Sequence, residues 1–390
     1  MADATSSPEK ILCITNDFGP RAGGIETFIA GLLERTPHGS VLVYTSAQEN
    51  SEPYDQIWLE KFGVEVIRDP QKVLMPSIRV SRAVNKIVRE QAIETVFFGA
   101  AAPLGLLAWS LRRNSVKRII ALTHGHEVWW SKIWPFSWAL RFIGNNCDRL
   151  TYLGEFTRSE ISKALSTKAA QSMVKIAPGI DTEHFAPHVN REETRSELNI
   201  SEKKVILHVG RLVHRKGQDI LLEALPEVLR KHPDAHVLLI GQGPYKKHLE
   251  KLVSKYQLSN FVTFIGRVQY AELPKYFSAG DIFAAPSRSR FGGLEVEGLG
   301  IVYLEASACG LPVIAGKSGG APDAVIEGVT GTTVDGTDAI QVSREIIRLL
   351  DNPVKAREMG IAGRKWIIEN WRWEIWAKEF TSLLRPDQHT

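Results

Sequence analysis

The sequence predicts an α/β protein made of two doubly wound parallel sheets. Three observations carry that prediction. Short β-branched runs alternate with amphipathic helical patterns, and the runs are almost continuously apolar, as in strands covered on both faces. The alternation restarts near residue 205, after "APGIDTEHFAPHVNREETRSELNISEKK", a polar stretch with two prolines and a run of charges that reads as a linker. The length, 390 residues, exceeds what one hydrophobic core usually serves. The reading assigns residues 1–186 to a first domain and 187–370 to a second. Residues 371–390 are left as a C-terminal helix crossing back to the first domain, because "KWIIENWRWEIWAKEFTSLL" sets its aromatic and aliphatic positions at helical spacing.

In chain order the strands of the first half are "ILCIT", "VLVYT", "VEVI", "TVFF", "IIAL" and "LTYL". Those of the second are "VILHV", "HVLLI", "VTFI", "DIFAA" and "PVIA". Open sheets of this kind bind ligands in the crevice outside the carboxyl ends of their strands, so the loops leaving those ends are the candidates for function.

Composition excludes several classes. With 44% hydrophobic and 24% charged residues, the chain is ordinary globular material. Cys13, Cys147 and Cys309 sit in apolar surroundings without C-x-x-C spacing, which argues against a disulfide framework and for a reducing compartment. The N-terminus has no basic segment followed by an apolar one, and no window approaches roughly 20 consecutive apolar residues, so a cytoplasmic or peripheral protein is expected. Residues 68–149 hold thirteen Lys and Arg against five Asp and Glu although the whole chain is only +4, which suggests an acidic surface or ligand beside the first half. No nucleic-acid-binding module is recognisable, and no such partner is expected.

The first strand runs into "NDFGPRAGGIETF", where Gly23 and Gly24 open a helix. Small residues at a helix start let a phosphate approach the backbone amides. The spacing is not G-x-G-x-x-G, and Thr45 and Ser46 end the second strand where a dinucleotide site wants an acid, so nicotinamide binding is not expected. "LTHGHEVWW" puts His124, His126 and Glu127 after a strand, readable as part of a metal site or as groups that hydrogen-bond substrate; no further ligand stands at suitable spacing and no D-x-D pair occurs, which favours the second.

In the second half, "VILHVGRLVHRKGQDILLEAL" places Gly210, Arg211, Lys216 and Gly217 between a strand and a helix. The two cations can neutralise a diphosphate, or the loop can be an ordinary solvated basic one; the Walker pattern is absent. After "DIFAAPS" come Arg288 and Arg290, then "FGGLEVEGLGIVYLEASACGLP". Glu297 and Glu305 lie eight positions apart, with a helix expected from near Leu299 and ending at Gly310 and Pro312. Either the pair complements a helix dipole and faces solvent, or both accept hydrogen bonds from the hydroxyls of a sugar and a ribose.

Together these segments resemble the retaining nucleotide-sugar glycosyltransferases with an E-x7-E signature and two Rossmann-like domains, the GT-B architecture. They are most similar to the actinobacterial phosphatidylinositol mannoside mannosyltransferases, through "TNDFGPRAGGIE", "FGAAAPLGLLA", "THGHEVWW", "GRLVHRKGQD", "GQGPY" and "VEGLGIVYLEASACGLPVIAGKSGGAP". The resemblance implies addition of the second mannose, from GDP-mannose, to phosphatidylinositol monomannoside through an alpha-1,6 linkage, without a metal or other cofactor. It further implies that Arg211 and Lys216 contact the diphosphate, Glu305 the ribose and Glu297 the transferred sugar, and that His124 lies by the reacting centre. Gly23 and Gly24 would approach the phosphates, Gly266, Arg267 and Val268 would present backbone to the base, and the Gly298, Leu299, Gly300 and Ile301 segment would meet the donor at the helix start. Asp17, with His124 and His126, would reach the acceptor. Many members of the wider family read E-P-F-G where this chain has "SRSRFGGLEVEG", which leaves Arg288 and Arg290 without an implied role.

A lipid acceptor implies an anionic membrane surface, on the inner face of the plasma membrane. Two segments are candidates. One is the helix in "PSIRVSRAVNKIVREQAI", with Val80, Ala83, Val84, Ile87 and Val88 on one face. The other is the tryptophan-rich "EVWWSKIWPFSWALRFIG". A glucuronosyl diacylglycerol is the alternative acceptor, and a non-catalytic nucleotide-sugar-binding protein the alternative of another class.

Overall fold

The computed structural model describes residues 9–21, 23–114, 116–187 and 190–385. The chain divides into two compact units, Met1–Gly179 with Trp373–Thr390, and Ile180–Arg372.

The first unit holds β1 (Ile11–Ile14), β2 (Val41–Ser46), β3 (Glu65–Asp69), β4 (Thr95–Phe98), β5 (Arg118–Ala121), β6 (Arg149–Tyr152) and β7 (Val174–Lys175). All pairings are parallel, in the order β3-β2-β1-β4-β5-β6-β7. The strands at the centre are buried throughout, which is why they read as unbroken apolar runs. Strand order reverses between β1 and β4, and the loops after these strands therefore open at a topological switch point. The helix Trp373–Leu384 belongs to this unit. Arg118 Nε donates to the Leu383 carbonyl at 2.8 Å, the Phe380 ring meets Phe97 edge-on at 5.1 Å, and the Trp373 indole fills the space left by the missing side chain of Gly31.

The second unit repeats the plan with β8 (Lys204–Val209), β9 (Ala235–Ile240), β10 (Val262–Gly266), β11 (Ile282–Ala285), β12 (Val313–Gly316) and β13 (Gly331–Val334), in the order β10-β9-β8-β11-β12-β13. Its core joins Ile206, Leu239 and Ile314 of the sheet to Leu221, Leu225 and Ile346 of the covering helices. Here the reversal falls between β8 and β11, so the loops 210–217 and 286–300 flank the switch point.

Three expectations need correction. Helix Ile301–Ala308 starts two residues later than Leu299, because Gly300 serves as its N-cap at φ +80°. β7 and β13 are additional strands; the first is only two residues long and the second, Gly-Thr-Thr-Val, lacks an apolar run. The apolar face of helix Ile78–Glu90 is no membrane face: Val80, Val84 and Val88 are buried in the core of their unit. An amphipathic stripe looks the same in sequence whether sheet or lipid covers it.

Candidate functional site

In the second unit, Gly210 at φ +155° turns the chain out of β8. A short 3-10 turn, His214–Lys216, then aims two successive cations at one carboxylate: Arg215 Nη1 donates to Glu297 Oε2 at 2.7 Å and Lys216 Nζ to the same oxygen at 2.6 Å. Gly217 ends the turn at φ +74°, and a Cβ built there would lie 1.9 Å from the Pro286 carbonyl oxygen. Only a residue without a side chain lets the loops after β8 and β11 touch at this point. Gly217→Ala is therefore expected to lower stability by about 1–3 kcal/mol, since left-handed strain and a backbone collision act together. Thermal unfolding checks this, and an unchanged Tm would reject it.

Glu297 is not the exposed helix cap of the simpler reading. Its side chain is 10% exposed, against 11% for Lys216, and it precedes the helix rather than belonging to it. The Glu297 amide donates to Ser318 Oγ at 3.3 Å and its carbonyl accepts from the Gly320 amide at 2.8 Å, which fixes the backbone while the carboxylate faces the cations. Burial would raise its pKa, but Lys216 and Arg215 outweigh that and hold it below the ordinary carboxylate value. Glu305, inside helix Ile301–Ala308, has no such compensation. Burial pushes it up to about 7, opposed only by the field of Lys216, so the two glutamates of one segment are held in opposite ways.

The remaining donor candidates lie on loops of the same unit. Arg211 is exposed, and its guanidinium makes no side-chain hydrogen bond or ion pair among the described residues. Gly298 to Ile301 form the approach to the helix, whose first amides have no intrahelical acceptor. At the end of β10, the Gly266 carbonyl accepts from the Gly241 amide at 2.7 Å, while Arg267 is exposed beside Val268.

Arg288 and Arg290, left without a role by sequence, now have one. Arg288 donates through its amide to the Arg215 carbonyl at 2.8 Å and through its guanidinium to Asp219 Oδ2 at 2.6 Å, an oxygen that also accepts from the Tyr245 hydroxyl at 2.9 Å. It thus ties the loop after β11 to the loop carrying both cations. Arg290 braces its own loop by an ion pair with Glu295 at 3.1 Å. Arg215 is the residue that sequence reasoning passed over. Its signal was its place between His214 and Lys216, immediately before a glycine that must turn.

In the first unit, the loop after β1 carries Asp17, whose amide donates to Thr15 Oγ1 at 2.9 Å. Burial and the nearby Glu26 raise the Asp17 pKa. Gly24 faces open space, but the Glu26 carboxylate lies over Gly23, held by Arg21 Nε at 2.8 Å. The Glu26 carboxylate thus already places negative charge at the Gly23 end of this helix start.

His124 is buried, with Nε2 2.7 Å from the Gly99 carbonyl, so that nitrogen carries the proton and Nδ1 is left as an acceptor. Burial lowers its pKa, which keeps the ring neutral at pH 7. Glu127, fully buried, accepts the His124 amide on Oε2 at 2.7 Å and lies 3.2 Å from His126 Nε2 through Oε1. Glu127 is thus the anchor of the two histidines. Among the described residues, no three His, Cys, Asp or Glu side chains converge as a metal site.

Comparison with known proteins matches the two units to two family models, glycosyltransferase family 4 over residues 22–184 and glycosyl transferases group 1 over residues 190–366. The chain is 42% identical to the GDP-mannose-dependent alpha-(1-6)-phosphatidylinositol monomannoside mannosyltransferase of Mycolicibacterium smegmatis, over 96% of this chain and 98% of that protein. It is 40% identical to the GDP-mannose-dependent monoacylated alpha-(1-6)-phosphatidylinositol monomannoside mannosyltransferase of Corynebacterium glutamicum, over 98% and 99%. Among solved structures, the Anabaena protein Alr3699/HepE in complex with UDP superposes with a TM-score of 0.80 at 19% identity, covering 96% of this chain and 99% of that one. Sucrose-phosphate synthase of Thermosynechococcus elongatus gives 0.76 at 23%, covering 96% and 98%. At these identities the structural likeness speaks for the fold, which is GT-B.

Proposed function

Because the chain belongs to the glycosyltransferase family that includes the actinobacterial phosphatidylinositol monomannoside mannosyltransferases, we propose that it transfers mannose from GDP-mannose to phosphatidylinositol monomannoside, forming an alpha-1,6 linkage with retention of anomeric configuration. The observation that carries this reading is the likeness of 40–42% over nearly the whole chain.

The chemistry of the two loops supports a donor role for the second unit. Departure of a nucleoside diphosphate develops negative charge, and Arg211, Lys216 and the free amides at the start of helix Ile301–Ala308 are suited to stabilise it. Fixed donors aimed at developing charge are often the largest single contribution to catalysis. Glu297 accepts a hydroxyl hydrogen bond from the mannose, Glu305 the two ribose hydroxyls, and the Gly266–Val268 backbone faces the base. No nucleophilic side chain is assigned to the anomeric carbon. The acceptor hydroxyl attacks from the face the diphosphate leaves, and the diphosphate takes the proton. Asp17 and His126 are assigned to the acceptor head group, and His124, through its bare Nδ1, to a hydroxyl at the reacting centre. Charge neutralisation by side chains makes the proposed transfer independent of added metal.

The test is transfer of radiolabelled mannose from GDP-mannose to phosphatidylinositol monomannoside in mixed micelles, with and without chelator. Product formation insensitive to chelator is expected. Transfer only to glucuronosyl diacylglycerol would replace the acceptor, and tight GDP-mannose binding without transfer to any acceptor would reduce the protein to a binding module.

The proposed acceptor resides in a membrane, and we assign the contact to the first unit. No described helix is long and apolar enough to cross a bilayer. Trp134, just before helix Phe136–Asn146, is 81% exposed, and Trp138 on that helix 63%, with the exposed Arg141 one turn further along it, a combination that suits the headgroup region of an anionic leaflet. Trp129 and Trp130 instead pack on Phe136, at 4.9 and 5.0 Å. Replacing Trp134 and Trp138 together by alanine is expected to weaken binding to phosphatidylinositol-containing liposomes, read by flotation, by at least about thirtyfold, since two aromatics worth on the order of 1–3 kcal/mol each sum to at least about 2 kcal/mol. Equal flotation of both proteins would place the contact elsewhere.

A further inference from the structure

We propose that the second unit carries a ligand site separate from its donor loops, at the opposite end of the same sheet, for a single-chain amphiphile with a phosphate head. A cavity of about 910 Å³ opens there. Its floor is the region where β11 and β12 begin, and its walls come from helices Ala339–Asp351 and Pro353–Asn370. Leu311, Leu349, Leu350, Ile361 and Ile368 give it an apolar lining. The donor loops leave the carboxyl ends of the strands, so the cavity lies a full sheet away from Glu297.

Charge selects the occupant. Among the described residues, seven cations line the cavity against two carboxylates, Asp281 and Glu369. Most of these cations are engaged in building the wall. Arg191 and Arg195 both bind Asp281, the second at 2.6 Å, and Arg364 donates to the carbonyls of Thr182, Phe185 and Ala308. Lys204 reaches Asp234 at 3.3 Å. The side chains of Lys203 and Arg357 have no hydrogen-bond or ion-pair partner among the described residues, and Lys365 stands 3.9 Å from Glu369, the only other acid among the described lining residues. An excess of uncommitted positive charge beside an apolar wall is complementary to an anion attached to a hydrocarbon chain. A nucleotide fits the lining poorly. Among the described lining residues there is no aromatic or histidine side chain to stack on a base. The volume lies within the roughly 300–1,000 Å³ of ordinary small-molecule sites, enough for one chain and its head.

Calorimetric titration of the full chain with n-dodecyl phosphate below its micellar concentration tests the site, against inorganic phosphate and the neutral dodecyl maltoside. One equivalent of dodecyl phosphate should bind at least tenfold more tightly than either control. Lys203→Glu combined with Arg357→Glu should weaken it at least tenfold while leaving mannose transfer unchanged, because neither residue touches the donor loops. Ile361→Asp, at a position 62% exposed where a carboxylate stays in water in the unliganded fold, should weaken it in the same way. Undiminished binding to both variants would put the amphiphile elsewhere, including at the acceptor site, and would overturn the proposal. So would equal binding of dodecyl maltoside.

Discussion

Glu297→Ala is expected to lower kcat for mannose transfer by about 10²–10³, the range for loss of a group with the sugar-contact role proposed for Glu297 in a preorganised site. The geometry makes the loss larger than that of one hydrogen bond. Oε2 of Glu297 is shared by Arg215 at 2.7 Å and Lys216 at 2.6 Å, in a cluster mostly closed to water. Removing the carboxylate leaves Lys216 without its counter-charge and Arg215 with only Glu295, at 3.7 Å, and breaking such a pair costs on the order of 3–5 kcal/mol when the partner stays buried. The freed cations then turn to the next available anion, the diphosphate. GDP affinity should therefore hold or tighten while kcat falls, a split that separates loss of sugar contact from general loss of structure. Glu297→Gln keeps the shape and a hydroxyl acceptor but not the charge, and should fall between wild type and alanine. Steady-state kinetics with GDP inhibition constants for the three proteins measure this. A kcat for the alanine variant within threefold of wild type would remove Glu297 from the site.

Much of this arrangement was legible in the sequence, for reasons that differ by residue. The central strands announced themselves because both faces are buried, whereas β13 hid because Gly331, Thr332 and Thr333 pack without an apolar run. Glu297 and Glu305 could be singled out because carboxylates are costly in an apolar setting and two at that spacing need a reason. Which of them would be paired could not be read, since the partners come from a loop some 80 residues earlier. Arg288 illustrates the same limit. Its sequence neighbours suggest a solvated loop, and only the fold brings Asp219 and Tyr245 against it. The helix at Ile78–Glu90 failed in the other direction. Its stripe was visible, but a stripe states that something covers it and not what.

Glu305 provides the second large effect, in the pH dependence of both binding and stability. Its carboxyl is raised from an ordinary 4.5 to about 7 by burial. A ribose donates hydroxyl hydrogens best to a carboxylate, so donor binding favours the deprotonated form. GDP affinity of the wild type should accordingly rise with pH below about 7, by up to about tenfold per unit, and level off above it. Stability runs the opposite way. A group whose folded pKa lies above its unfolded value contributes stability that is fully present below the unfolded pKa and is lost as pH rises through the folded one. For the ligand-free protein that window is 4.5 to about 7. The loss amounts to at most about 3 kcal/mol, less for the fraction of the side chain still reached by water. Glu305→Gln has no proton to release. It should bind GDP more weakly than the wild type at pH 8, show a flat affinity profile, and unfold at a higher temperature than the wild type at pH 8 but not at pH 5. Matched titrations and thermal melts across this range decide the matter. If the two proteins lose affinity in parallel as pH falls, another group governs the ribose contact. If the variant gains no stability at high pH, the raised pKa belongs elsewhere. The expected outcome is that the liganded site recovers what the empty one gives up: a buried carboxylate that weakens the free protein is the acceptor the nucleotide completes.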